Sequence, residues 1–381
     1  MEFVPSGLER QPLFRRQFIS RATLAASGVV LGSSLGLRRS RAAATPPAHR
    51  LMRALYDSLS REQREVICFD WDYRCDIKYG RKPLTIPDPK GIILRAHVSN
   101  AWLITPPRLG SDFYTPAQRD LVRDILETTM NDGWTDKLMR QAEDDSGMPW
   151  GGDQAVAFFG APGTDRFQCS VTGFHLSVRG GGQGSPHAFG GAIAHGHQPS
   201  GFYERVGHPG NFFWHQALEA NKVFQMLDTK QRERSLVDVA PFFVVDGQID
   251  RTLVTPDGPN DGKAREADIR FRGPGGAFPG LPIAEMNSPQ QAAVERLLNS
   301  LIDPYRPIYQ AQVKECLRRQ GGLRACSLAF YRDGDLGDDG EWDNWRLEGP
   351  SFVWYFRGAP HTHIYINVAD TPRAPVSAYF G

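Results

Sequence analysis

Residues 155–179 read AVAFFGAPGTDRFQCSVTGFHLSVR. Ala155 to Phe159 is a short apolar run closed by Gly160-Ala161-Pro162-Gly163, the composition of a strand stopped by a turn. Phe167 to Arg179 alternates as one longer strand, and residues 188–194 return as its neighbour. Three strands joined this way form an antiparallel meander. Helices precede it. Leu51, Leu55 and Leu59 share one helical face. Thr115-Pro116 supplies an N-cap and an N1 proline for a helix carrying Leu121, Ile125 and Leu126. A second helix over 134–143 ends in the turn Asp144-Asp145-Ser146-Gly147. Residues 69–112, with Trp71, Tyr73, Trp102 and several prolines, read as irregular chain draped over the core.

The pattern then repeats. Leu218 to Leu227 is helix-like, and Asp228-Thr229-Lys230-Gln231-Arg232 echoes Ser60-Arg61-Glu62-Gln63-Arg64. After a Gly/Pro/Asp-rich excursion over 245–284, Ser288-Pro289-Gln290-Gln291 echoes Thr115-Pro116-Ala117-Gln118 and opens a helix with Val294, Leu297, Leu298 and Leu301 apolar. Another helix follows near 307–319, and Leu328-Ala329-Phe330-Tyr331 matches Ala155-Val156-Ala157-Phe158. The stretch 345–352 matches 168–175 loosely. Echoes in one order at a near-constant offset point to an internal duplication, with half-repeats at about 51–197 and 218–370. The expected fold is α+β: two helix-plus-β-meander halves sharing one composite antiparallel sheet with helices packed on it, a single domain over 45–381.

The first 44 residues stand apart. They carry seven Arg, no Lys and two Glu, whereas the remainder is mildly acidic, with 37 basic against 41 acidic residues. That balance gives no electrostatic reason to expect nucleic acid or an anionic membrane as partner. Phe14-Arg15-Arg16-Gln17-Phe18-Ile19 matches a twin-arginine core, with Phe14 in place of the usual Ser or Thr. Ala22 to Leu37 is apolar but too short and mild for a span of roughly 20 strongly apolar residues. Ala42-Ala43-Ala44 is a cleavage site of the small-residue kind. The reading is a signal peptide over 1–44, the twin-arginine translocase as partner during export, a periplasmic or secreted product, and no stable membrane anchor. Five cysteines, Cys68, Cys75, Cys169, Cys316 and Cys326, contain no C-x-x-C pair. Cys68–Cys75 and Cys316–Cys326 are the nearest pairs for a disulfide, with buried thiols as the alternative.

Candidate chemistry concentrates in histidine. Residues 173–215 hold six of the ten: His175, His187, His195, His197, His208 and His215. Ala359 to Val368 reads as a strand, in which alternation puts His361 and His363 side by side on one face. If the duplication holds, the strand through His175 corresponds to the one leading into His361. That brings His175, His361 and His363 together as ligands of one transition metal ion (zinc, copper or iron) with an open coordination position. His195 and His197 form a second H-x-H pair of lower rank, and Glu204 is the candidate catalytic carboxylate, as fourth ligand or general base. The alternatives are imidazoles engaged in packing and hydrogen bonds, exposed loop histidines for His195 and His197, and a surface ion pair for Glu204. Asp333 to Asp339 departs from calcium-loop spacing and reads as a solvated hairpin turn. Arg179 to Gly184 lacks the context of a phosphate-binding loop, no G-x-S-x-G elbow occurs, and Ser177 beside His175 is not by itself a triad.

The order of Thr115-Pro116-Ala117-Gln118-Arg119, Gly173-Phe174-His175-Leu176-Ser177, Gly349-Pro350-Ser351-Phe352 and His361-Thr362-His363 resembles the bacterial domain-of-unknown-function family 3500, over about residues 51–370. Family members often have Gly-His-His where this chain has Gly173-Phe174-His175, and Glu where it has Tyr355. On the resemblance, those groups are lost here or relocated to His195, His197 or Glu204. It implies an exported protein with recurrent histidines and no particular reaction. Three functional classes remain open: an exported metal-dependent enzyme with hydrolytic or oxidative chemistry, a non-catalytic envelope protein binding a small molecule or partner, and a metal-independent hydrolase with His175 as base. Export has a direct test: replacing Arg15 and Arg16 by Lys together should leave uncleaved precursor in the cytoplasm, whereas mass spectrometry of the exported wild type should find a mature chain beginning at Thr45.

Overall fold

Eleven strands among the described residues join into one mixed sheet. In chain order they are β1 (Cys68–Phe69), β2 (Gln154–Gly160), β3 (Phe167–Gly173), β4 (Leu176–Gly181), β5 (Ile193–His197), β6 (Leu236–Val237), β7 (Leu281–Pro282), β8 (Ser327–Tyr331), β9 (Asn344–Gly349), β10 (Phe352–Arg357) and β11 (Thr362–Val368). The computed structural model describes residues 47–75, 87, 89–99, 102–181, 185–197, 212–238, 244–245, 248–249, 269–332, 334–336, 339–359 and 361–378. The expected signal peptide, Glu204 and His208 lie outside the described residues. Thr45–Gly381 forms one unit.

Across the sheet the order is β1-β2-β3-β4-β5-β11-β10-β9-β8, and both β7 and β6 pair with the far side of β8. The expected antiparallel sheet is therefore corrected to a mixed one. β1 runs parallel to β2, and β6 parallel to β8, while the other pairs are antiparallel. Each parallel edge strand emerges from a short helix, so the chain reaches the sheet edge through a crossover rather than a hairpin. The single long strand expected over 167–179 is also corrected. It breaks at Phe174-His175 into the hairpin of β3 and β4, with Gly173 paired to Leu176.

Eight helices among the described residues accompany the sheet: α1 (Pro47–Ser58), α2 (Arg61–Ile67), α3 (Pro116–Thr129), α4 (Trp134–Ser146), α5 (Trp214–Gln225), α6 (Thr229–Ser235), α7 (Ser288–Ile302) and α8 (Pro307–Arg319). Strand alternation decides what they meet. Phe158, Val171, Ile193, Phe330, Leu347, Trp354 and Ile366 project from one face into a core shared with Leu55, Ile125, Leu138, Val223, Leu297 and Val313 of the helices. The opposite face carries Tyr355, Tyr365, Ala194 and Ala155, covered by Val98, Ile104 and Ile269. The Ile104 N–H donates to Thr172 Oγ1 at 2.9 Å, and Asn367 Nδ2 donates to the Ile269 carbonyl at 2.8 Å, so the covering chain is fastened by hydrogen bonds as well as by burial. The drape expected of residues 69–112 is seen in their described part.

Four helices begin with a capping box: Ser60 with Gln63, Thr115 with Gln118, Asp228 with Gln231, and Asn287 with Gln290. The second echo is thus one residue out of register in sequence, since Asn287 rather than Ser288 is the cap. The N3 glutamines also grip each other. Gln63 and Gln118 exchange amide hydrogen bonds of 2.9 and 3.0 Å, and Gln231 and Gln290 exchange bonds of 3.2 and 2.7 Å. All five cysteines are free, and among the described residues no helix is long and apolar enough to cross a membrane. The amide pair makes a stability prediction. Gln118→Ala should cost about 2 kcal/mol in urea unfolding, because a buried cap and its partner amide are both left unmade. Adding Gln63→Ala should cost less than its single effect, since the pair is one coupled unit.

Candidate metal centre

At one end of the sheet, strand pairing fixes three segments side by side. His363 on β11 lies directly opposite Gly196 on β5 and Arg357 on β10, and the Gly196 N–H donates to the carbonyl of His175 in the adjacent hairpin turn at 3.1 Å. His361 stands just before β11. These constraints bring His175, His361 and His363 together, with one ligand nitrogen from each within 4.8 Å of the others. The Nε2 atoms of His361 and His363 are 2.6 Å apart, and those of His363 and His175 are 3.1 Å apart. Three neutral imidazoles at this spacing form a group that could bind a metal ion.

His175 arrives differently from the expected way. It sits at the tip of a turn with φ of 54°, the only non-glycine residue among the described ones with positive φ. A side chain in that left-handed region costs roughly 1–2 kcal/mol. Gly196 shows the same crowding from the other side. A methyl there would press on the Thr362 carbonyl oxygen and lie 3.1 Å from His363 Cδ2 and 3.4 Å from His175 Cδ2. The absent side chain makes room for the two imidazoles.

A carboxylate that the sequence placed in a turn proves central. α4 continues through Ser146 and ends against Gly147 in a left-handed cap, so Asp145 belongs to its last turn. An acid there opposes the helix dipole, at about 0.3–1 kcal/mol when exposed. Asp145 is instead fully enclosed, and each of its oxygens meets one imidazole: Oδ2 lies 2.5 Å from His175 Nδ1, and Oδ1 lies 2.9 Å from His197 Nδ1. Burial alone would raise its pKa, yet the hydrogen bonds and charges of His175 and His197 outweigh this and hold it below the usual carboxylate value. An ionised carboxylate is acceptor-only, so both Nδ1 atoms must donate, and neutral His175 keeps its lone pair on Nε2. This is the arrangement by which outer carboxylates orient metal-ligating histidines.

The far side of the group is cationic. Arg357, 2% exposed, donates from its terminal nitrogen to His363 Nδ1 at 2.7 Å. Guanidinium has no acceptor, so this contact assigns the proton of His363 to Nε2, where it points at the His175 and His361 nitrogens. Burial lowers the pKa of all three imidazoles. For His361 and His363 the Arg357 charge is the next cause, while for His175 the Asp145 carboxylate opposes the fall. All three are neutral near pH 7, but His363 offers a lone pair at Nε2 only if its proton moves to Nδ1 and the Arg357 contact is given up.

The remaining candidates separate by face. His195 points toward the helices, stacks on Phe213 at 4.8 Å and sits 3.5 Å from the Tyr305 hydroxyl. Burial pushes its pKa down to about 3. Its place is in the packed core, outside the three-histidine group. His197 joins through Asp145 and stacks on Phe212 at 5.4 Å. In the acidic loop, Asp343 Oδ2 accepts from the Leu336 N–H at 2.7 Å, and Asp335 Oδ1 from the Asp343 N–H at 3.0 Å, so these carboxylates close a turn on its own backbone. Sequence reasoning missed Asp145, Arg357 and Gly196. Three acids at the wrong end of a helix, Glu143, Asp144 and Asp145, were the available signal for the first.

Comparison with known proteins found no matching family model, curated protein or solved structure. The geometry makes two predictions. Asp145→Asn should leave the fold intact but weaken metal binding about 10–100-fold in a chelator competition, because one of the two imidazoles must then meet an N–H instead of an oxygen. Gly196→Ala should lower thermal stability and weaken metal uptake, since its methyl collides with the Thr362 carbonyl oxygen and crowds the His363 ring.

Proposed function

We propose that this chain is an exported metal-dependent enzyme whose ion is held by His175, His361 and His363. The observation that carries the reading is the convergence of three imidazole nitrogens within 4.8 Å, with the Asp145 carboxylate fixing the tautomer of His175. With the His363 proton moved from Nε2 to Nδ1 and the Arg357 contact released, three nitrogen ligands leave a coordination position open. A bound divalent ion there would act as a Lewis acid and lower the pKa of water toward neutrality. Asp145 orients His175 and His197 together. Hydrolysis fits this donor set best. Copper or iron in the centre would favour oxidation instead.

Three further readings belong to the proposal. Export through the twin-arginine translocase to the periplasm rests on Arg15, Arg16 and Ala42-Ala43-Ala44. Kinship with domain-of-unknown-function family 3500 rests on the motifs around His175 and His363. Internal duplication is supported by the paired capping glutamines, by the parallel edge strands β1 and β6, and by the central pairing of Ile193 with Ile366 between β5 and β11.

The Arg357 contact favours a second reading. Donation to His363 Nδ1 completes a metal-free chain from Asp145 through His175 and His363 to Arg357, suited to a binding protein or a metal-independent hydrolase. Elemental analysis decides between them. Mature protein exported in its host and purified without a histidine tag should carry about one equivalent of zinc, copper or iron, lost in His363→Ala and His361→Ala. Folded wild-type protein that holds no metal and takes none up on reconstitution would establish the second reading.

A further inference from the structure

His175 is held at its main chain as well as at its ring. Its carbonyl oxygen accepts twice, from the Gly196 N–H at 3.1 Å and from the Gln141 side-chain Nε2 at 3.2 Å. One residue earlier, the Phe174 N–H donates to Asp153 Oδ2 at 3.2 Å. The turn is thus fastened to β5, to α4 and to the residue before β2. A histidine with φ of 54° requires such restraint, since a backbone released from it relaxes to a more populated region and carries the ring away.

Gln141 and Asp145 are four residues apart in α4, one turn apart on the same helix face. Together they hold a single residue at two points, Gln141 at the main-chain carbonyl and Asp145 at Nδ1. The two bonds do different things. The Asp145 bond decides which ring nitrogen carries the proton. The Gln141 bond holds the carbonyl, and with it the backbone that aims the ring at His363.

The residue type is informative. Gln141 is 1% exposed, and its Oε1 has no hydrogen-bond partner. An apolar side chain of similar length would occupy a buried helix position without that unmet acceptor, so what favours glutamine there is the bond made by Nε2. Turning the amide over would set Oε1 against the His175 carbonyl, acceptor to acceptor, so the bond itself settles the orientation.

Resting on the metal-centre reading, we infer that Gln141 is a positioning residue for the His175 ligand. It holds the left-handed turn in the conformation that presents His175 Nε2 to the ion, without touching the ion itself.

The test uses the mature full-length protein, with cobalt(II) affinity read by chelator competition, cobalt content by elemental analysis and stability by urea unfolding. Gln141→Met keeps the length and helix preference of glutamine and removes the donor. It should weaken cobalt binding about tenfold at unchanged cobalt content. A second readout needs no metal. In metal-free protein labelled at its histidine ring nitrogens, the His175 Nδ1 proton should exchange with water at least about threefold faster in Gln141→Met, because the turn opens more often. Gln141→Ala should behave in the same way and serves where Gln141→Met does not fold. Leu297→Ala, in the core on α7, is the control: it should lower stability through its cavity and leave cobalt affinity unchanged. Wild-type cobalt affinity and Nδ1 exchange in both Gln141 variants, or an equal loss of affinity in Leu297→Ala, would overturn the inference while leaving the metal centre intact. Wild-type protein that takes up no cobalt would overturn the metal-centre reading, and this inference with it.

Discussion

One carboxylate shared between two imidazoles organises this end of the molecule. Asp145 accepts from His175 with one oxygen and from His197 with the other. Each bond is charge-assisted, and both are shut away from water, where such bonds are strongest and where losing one leaves the heaviest penalty. The consequences run in two directions. Inward, the bonds fix two tautomers and aim the His175 lone pair at His363. Outward, they tie the C-terminal turn of α4 to the β3–β4 turn and to β5, three segments distant in sequence. The left-handed backbone at His175 and the acid set against the α4 dipole are both unfavourable locally. Both are offset by this one junction.

The sheet explains why the histidines arrive from so far apart. β5 and β11 pair at its centre, although more than 160 residues separate them. Their antiparallel register sets His363 against Gly196 and places the β3–β4 turn one strand away. The helix-side core holds that register by burying Ile193, Ile364 and Ile366 on the face opposite His363. A slip of one residue would exchange those isoleucines for the histidine and tyrosine of the other face, so the hydrophobic pattern guards the site geometry.

Arg357 gives the centre its distinctive electrostatics. A ligand histidine usually donates its remote N–H to an acceptor, as His175 does to Asp145. His363 instead accepts from a guanidinium. The three imidazoles therefore lie between a negative pole and a positive one, spanning helix and sheet. That polarity runs from α4 through His175 and His363 to β10, and any ion or proton in the centre experiences it.

Much of the architecture was legible in the chain itself. Apolar periodicity located α1, α3, α5, α7 and α8, because each buries one face and needs no distant partner to reveal it. Glycine and proline punctuation located β2, and Thr115-Pro116 located the start of α3. His361 and His363 were readable as a pair because strand alternation is local. What the sequence could not express was pairing. It showed neither that β1 and β6 lie parallel at the edges, nor that Phe174-His175 is a turn, nor that α4 extends one turn further to carry Asp145. Arg357 and Gly196 were invisible for the same reason, since each matters through a residue across a strand boundary. Local backbone preference and hydrophobic pattern are properties of neighbours in the chain. The convergence of Asp145, His175, His363 and Arg357 is set by sheet register and helix docking, long-range contacts that only the folded core decides.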